Sequence, residues 1–355
     1  MLRTLVLLSS ASLFLLLNGC ASIGEQHLRA DQVSYARALG DAKKREILAA
    51  IVGLRYADTP GFLTVTQIIA AYTFDATGSA TLNAGSGAEP SYALATGSVS
   101  YSNHPTFTFT PTTGEAYATA YIRPLPATLV LPLVSSDIPI DLLLRLTAQS
   151  IGGLQNDTSL GGPNSDGSPQ FFALLRVLRR LQIAGELTVQ YHEVDHVGHV
   201  TMTVGGVDGN SAQTTDDISR MRSLLHLSAK VKEYEVVYGQ SVNSGNQITL
   251  VTRSVLGIMS NLGAQIQVPA EQLASGATKP TVKLIGGETR PTVVVQSAKQ
   301  ALADAYVAVA YRGSSYWIAA TDFDSKYAFT VLQSLMALAE ASQDNKAPII
   351  TVPAS

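Results

Sequence analysis

His192-Glu193-Val194-Asp195-His196 fits the spacing H-E-x-x-H. On a helix, that spacing stacks two imidazoles one turn apart, so both reach one zinc ion while the glutamate activates the bound water. This is the chemistry of a zinc-dependent hydrolase. His199 supplies a third imidazole nearby, so His192, His196 and His199 form the candidate metal set. The motif presupposes a helix, and the flanking residues argue for strands. Leu187, Val189 and Tyr191 alternate before it, and Val200, Met202 and Val204 alternate after it on the opposite parity. A parity switch of this kind marks a turn between two strands, and Gly198 suits that turn. In a hairpin His192 and His196 straddle a bend and Glu193 points to the other face. The expectation is an exposed polar hairpin, with no metal and no catalytic residue assigned.

A second constellation joins Arg312, Tyr316 and Trp317 on a strand-rich stretch followed by Asp322, Asp324 and Lys326. Arginine and aromatic residues are enriched in binding surfaces, which makes these three the candidate ligand-binding residues, for a small molecule or a glycan. The competing reading is packing: Tyr316 and Ile318 share one strand face and Trp317 takes the other. Asp157, Asn164 and Asp166 offer oxygens in a long loop, but without the dense spacing of a calcium loop. Neither a G-x-S-x-G elbow nor a phosphate-cradling G-x-x-x-x-G-K-[ST] occurs, and no motif implies a cofactor.

The elements that must carry these residues follow from the hydrophobic periods. A helix is predicted from Asp31 to near Tyr56, ended by the turn residues Ala57–Gly61. From Thr73 to Pro111 the chain is rich in Ser, Thr, Gly, Ala and Tyr. Its alternation predicts two or three antiparallel strands with one dry and one wet face. The apolar stretch from Tyr121 to Leu154 is broken by Pro124, Pro126, Pro132 and Pro139 and charged by Asp137, Asp141 and Arg145. Short core helices are expected there, not a membrane span. Ser168 and Pro169 open an amphipathic helix whose Phe172, Leu175, Val177 and Leu178 face a core. Beyond it, helices are predicted near 214–231, 254–266 and 326–341. Strands are expected at 233–239 and 247–252, paired around an Asn-Ser-Gly turn, and at 292–297, 305–313, 315–321 and 348–353. The fold class is therefore α+β, antiparallel strand clusters interspersed with amphipathic helices. The expected organisation is a leader over 1–19, a tether over 20–30, an N-terminal helix and β region over 31–155, a Gly/Asn/Ser loop over 156–168, and an α+β region over 169–355. Residues 31–355 can equally form one compact domain.

Composition narrows the function classes. Hydrophobic residues make up 46% and charged residues 14%, which suits a packed core and excludes a disordered chain. The net charge of −3 argues against a nucleic-acid surface. A chain of 355 residues buries enough surface to fold without disulfides, and it has one cysteine, Cys20. Arg3, an apolar run from Leu5 to Leu17, and then Leu17-Asn18-Gly19-Cys20 form a secretory leader too short for an ordinary span.

The segment Leu17-Asn18-Gly19-Cys20 resembles the lipobox of bacterial lipoproteins. That resemblance implies cleavage before Cys20, acyl chains on its sulfur, and, with Ala21 in place of an aspartate, sorting to the outer membrane with the body in the periplasm. The stretches 103–126, 252–269 and 305–355 resemble a group of bacterial proteins, often lipoproteins, with no assigned activity, so the resemblance carries over no ligand or catalytic residue. The expected role is that of a membrane-anchored cell-envelope lipoprotein, structural or protein-interacting, held by the lipid on Cys20 and meeting envelope protein partners. A ligand- or glycan-binding envelope module and a zinc-dependent hydrolase using His192–His196 are the alternatives.

Overall fold

The computed structural model describes residues 23–69, 72–83, 92–103, 106–158, 166–205, 211–239 and 245–341. The leader, Cys20, Asn164 and the terminal strand expected at 348–353 lie outside the described residues. The chain divides into two compact units, Gly61–Gly114 and the remainder.

The larger unit begins with helix α1 (Ile23–Arg55), which starts well before Asp31. Charged and small residues such as Arg37, Ala38, Lys43 and Lys44 keep this stretch helical without an apolar face to bury. Among its described side chains none is buried before Ile47; from there Ile47, Leu48, Ile51 and Val52 enter the core. The helix ends at Tyr56 and Ala57, where Ala57 adopts φ +62°.

The prolines after Tyr121 act as expected. They divide the apolar stretch into single turns at Ala118–Ile122, Ala127–Val130 and Leu131–Ser136, and then α2 (Ile140–Thr147). Six strands follow around one sheet: β5 (Ala148–Ile151), β6 (Leu154–Gln155), β7 (Leu187–Val194), β8 (Val197–Val204), β9 (Glu233–Tyr238) and β10 (Gln247–Thr252). Their order is β6-β5-β10-β9-β8-β7. Helices α3 (Pro169–Ile183), α4 (Ala212–Leu224) and α5 (Val255–Ala264) interleave with them. Ser168, Ser211 and Ser254 cap these helices, each hydroxyl accepting a backbone N–H three residues on. A three-stranded sheet, β11 (Gln296–Ala298), β13 (Ser314–Ile318) and β12 (Val307–Tyr311) in that order, precedes the last helix, α6 (Phe323–Ala341).

One pairing differs from the sequence reading. β9 and β10 run parallel, Gln247 opposite Glu235 and Leu250 opposite Tyr238, so no tight Asn-Ser-Gly hairpin joins them. The period of two is the same in both arrangements, which is why alternation alone does not give strand direction.

The smaller unit holds four strands: β1 (Leu63–Ile69), β2 (Tyr72–Asn83), β3 (Tyr92–Asn103) and β4 (Thr106–Pro111). β1 pairs with β4, and β2 with β3, both antiparallel. The register is common to both pairs: Ile69 stands opposite Thr106 and Tyr72 opposite Asn103. Among the described residues the only register shift lies at the outer end, between Val65 and Gln67. Neither outer edge of β2 or β3 has a strand partner among the described residues.

Candidate functional site

The H-E-x-x-H string lies on a hairpin. His192 and Glu193 end β7, Asp195 and His196 form the turn, and His199 lies on β8. Asp195 and His196 take φ +50° and +62°, the two left-handed residues of a tight hairpin turn. The turn falls there and not at Gly198, which stands inside β8 opposite Glu193. A Cβ at that position would come within 2.9 Å of the Tyr191 ring, which would have to move aside.

This backbone brings together His192 and His199, which are cross-strand partners with rings stacked 5.6 Å apart. It leaves His196 in the exposed turn, 3.4 Å from Glu193. His199 Nδ1 lies 3.1 Å from a Glu235 carboxylate oxygen, and Gln247 donates to the other oxygen. These contacts, the His199 hydrogen bond foremost, hold the Glu235 carboxyl below its ordinary range. The helical geometry that gives the motif its chemistry is thus replaced by a cross-strand pair. Among the described residues, no group of three His, Asp or Glu side chains is placed to hold a metal ion.

Arg312, Tyr316 and Trp317 also separate. Tyr316 is fully buried, and its hydroxyl lies 2.5 Å from that of Tyr56. Burial, reinforced by this hydrogen bond, pushes the Tyr316 phenol well above its usual range. Trp317 is buried on the other face, its indole N–H without a hydrogen-bond partner among the described residues. Arg312 alone reaches solvent, from a turn with φ +46°, over the Tyr56 ring and 3.6 Å from Asp58.

Among the described residues a cleft lies elsewhere, at the C-terminal end of α1. It encloses about 650 Å³ between α1, α5 and residues 276–283. Arg55, Lys279, Lys283 and Ser260 line it with one acid, Asp166, and the walls include Leu54, Pro280 and Val282. Arg55 is 7% exposed, has no carboxylate partner among the described residues, and donates from Nη2 to Thr281 Oγ1 at 3.2 Å. Its Nε–H is buried without an acceptor among the described residues. Burial lowers the affinity of this guanidinium for its proton, although an arginine stays charged throughout the physiological range. A buried cation without a counter-ion is unfavourable by itself, and an anion entering the cleft would relieve it. Sequence reasoning passed over Arg55, which reads as an ordinary basic residue at a helix C-terminus.

Asp157 is not available to calcium. Its carboxylate faces Arg253 Nη2 at 3.4 Å and accepts from Gln265 Nε2 at 3.2 Å, in a buried network with Asn156 and Asn261.

Comparison with protein-family models, with curated proteins and with solved structures gave no match.

Proposed function

We propose that this chain is a cell-envelope lipoprotein, anchored through acyl chains on Cys20 and acting as a structural, protein-interacting component of an assembly in the outer membrane. The observation that carries the reading is the β2–β3 ribbon. Every described side chain on it except Ser102 is exposed, and neither outer edge is paired among the described residues. An isolated two-stranded ribbon is marginal in water, and an unprotected edge is a template for further strands. α1 supports the anchor. The part that precedes its first contacts with the body, Lys43 with Glu340 and Lys44 over the Tyr306 ring, runs from Ile23 to Ala42 and is about 30 Å long at about 1.5 Å per residue, a spacer between the proposed acylated end and the folded body. Several acyl chains at one cysteine hold a protein on a bilayer far more firmly than the marginal binding of one.

The test is expression of the full chain in a bacterium with an outer membrane. Mass spectrometry is expected to find residues 1–19 removed and Cys20 acylated, and Cys20→Ser to leave the outer-membrane fraction. An unmodified thiol or an intact leader overturns the anchor. Cross-linking in the same cells that yields only monomer overturns the assembly.

The Arg55 cleft favours a second reading, a binding module for an organic anion carrying a carboxylate or phosphate beside an apolar group. A ligand that binds only the native state raises the melting temperature. In a thermal-shift screen of such anions, at least one is expected to stabilise the protein, with the shift lost in Arg55→Met. Arg55→Met itself is expected to be neutral or stabilising by about 1 kcal/mol, since it removes an unpaired buried charge. A shift that survives the substitution places the anion elsewhere.

A further inference from the structure

The β2–β3 hairpin separates its residues by parity. One set of register pairs is Phe74 with Tyr101, Ala76 with Val99, Gly78 with Gly97, Ala80 with Ala95 and Leu82 with Ala93. The other is Thr73 with Ser102, Asp75 with Ser100, Thr77 with Ser98, Ser79 with Thr96 and Thr81 with Leu94. In a strand alternate residues fall on opposite faces, so the first set is one apolar row and the second an almost wholly polar one; the end pairs continue the parities, Tyr72 with Asn103 on the first and Asn83 with Tyr92 on the second. The polar row is knit across the strands by hydroxyl pairs, Thr77 with Ser98 and Ser79 with Thr96, each at 2.6 Å. The only charged residue in either strand, Asp75, falls on the polar row.

We infer that this hairpin is a membrane-spanning stave, and that copies of this chain pair their β2 and β3 edges to close one β-barrel around a polar lumen. The inference rests on the envelope reading above and names its assembly: the partner is a second copy, and the apolar row meets lipid.

Four observations carry it. The first is length. β2 and β3 have 12 residues each; at about 3.4 Å per residue and a tilt of about 45°, they cover roughly 26 Å, the height of the apolar band of outer-membrane barrels. The second is the dyad alternation itself, apolar outward and polar inward, which is the pattern of such barrels. The third is the placing of aromatics: Tyr72, Phe74 and Tyr101, all of the apolar parity, stand at the end next to β1 and β4, as an interfacial girdle requires, while Tyr92 at the other end falls on the polar row. The fourth is the edges. Water-soluble proteins guard free edges with lysine, proline or inward-pointing charge, and neither β2 nor β3 contains lysine, arginine or proline. In lipid an unpaired edge is untenable, so closure is obligatory. Two strands per chain and a smallest barrel of about eight strands set a minimum of about four copies. Consecutive hairpins then pair β3 of one copy with β2 of the next, antiparallel throughout.

The experiment uses the full, acylated chain in isolated outer membranes, where Cys20 is consumed by lipid and single cysteines report alone. Thr77→Cys, Ser79→Cys and Thr96→Cys are expected to react with a membrane-impermeant maleimide. Ala76→Cys, Ala80→Cys and Ala95→Cys are expected to react about tenfold more slowly until detergent is added. Electrophoresis without heating is expected to show an oligomer of four or more copies, lost in Ala80→Arg and kept in Ser79→Arg. Equal labelling of both rows in a protein still bound through Cys20 overturns the stave and leaves the envelope reading standing. Protection of both rows with a foreign protein cross-linked at the edges overturns it in favour of docking on that protein. Recovery of the chain in the soluble fraction with a free Cys20 thiol overturns both.

Discussion

Replacing Arg253 with methionine will lower the unfolding free energy by about 4 kcal/mol, the scale of a buried ion pair broken from one side. Arg253 is 7% exposed at the end of β10. It donates to the carbonyl oxygens of Arg145 at 3.0 Å and Leu146 at 3.2 Å, to the Asp157 carbonyl, and toward the Asp157 carboxylate at 3.4 Å. One guanidinium thus fastens the end of α2 and the start of the 156–168 loop to β10. Burial alone works against its charge, and Asp157 opposes that effect. Methionine fills much of the volume, so a cavity contributes little to the expected loss. What remains is a buried carboxylate held by Gln265, and a Leu146 carbonyl deprived of its donor; each such group costs about 1–3 kcal/mol, more when charged. Urea unfolding of the mature chain measures the difference. A loss under about 1 kcal/mol would show that water reaches Asp157 in the native state. Arg253→Met with Asp157→Leu should recover part of the loss, because removing both partners leaves no orphaned charge.

That network also marks where the sequence stopped being legible. Alternation found β7 and β8, because Val189 and Tyr191 meet Met202 and Val200 across a two-residue turn, although burial follows the alternation only at Leu187 and Val189 in β7. The proline-broken helices, the serine caps and the mixed fold class were readable for the same reason: each is written in neighbouring residues. The antiparallel strands of the Thr73–Pro111 region were readable too, and three of them, β2, β3 and β4, fall there. Partners far apart in sequence leave no local trace. Asp157 and Arg253 are 96 residues apart, and each alone looks like a loop acid or a strand-end base. The parallel pairing of β9 with β10 is invisible to a period of two. Tyr316 and Trp317 read equally as a binding surface or as core, and only the positions of Tyr56 and β12 place both inside. Arg55 was hidden because the residues that wall its cleft, Ser260 and Thr278–Lys283, lie more than 200 positions away.

Gly263→Ala will destabilise the protein by about 2 kcal/mol, against its intrinsic preference. In an open helix the change favours folding by roughly 1 kcal/mol. Gly40 on α1 is such a place, with no atom within 4 Å of where a Cβ would sit, and Gly40→Ala should stabilise. At Gly263 on α5 the added Cβ would lie 2.7 Å from the Ile51 carbonyl oxygen and 3.4 Å from the Arg55 amide nitrogen. Those atoms are helix backbone and cannot rotate aside, so α1 must retreat as a body by about half an ångström. Overpacking of this kind costs about 1–3 kcal/mol and exceeds the propensity gain. The retreat moves the one element that links the proposed anchor, the core and the cleft. α1 follows the proposed anchor, seals the core through Ile47, Leu48 and Ile51, and ends on Arg55 in the cleft. Gly263→Ala is therefore expected to weaken anion-induced stabilisation as well as lower the urea midpoint, whereas Gly40→Ala should leave the anion response unchanged. If Gly263→Ala raises the midpoint, α1 and α5 are not in the close contact described, and the geometry of Arg55 must be redrawn with it.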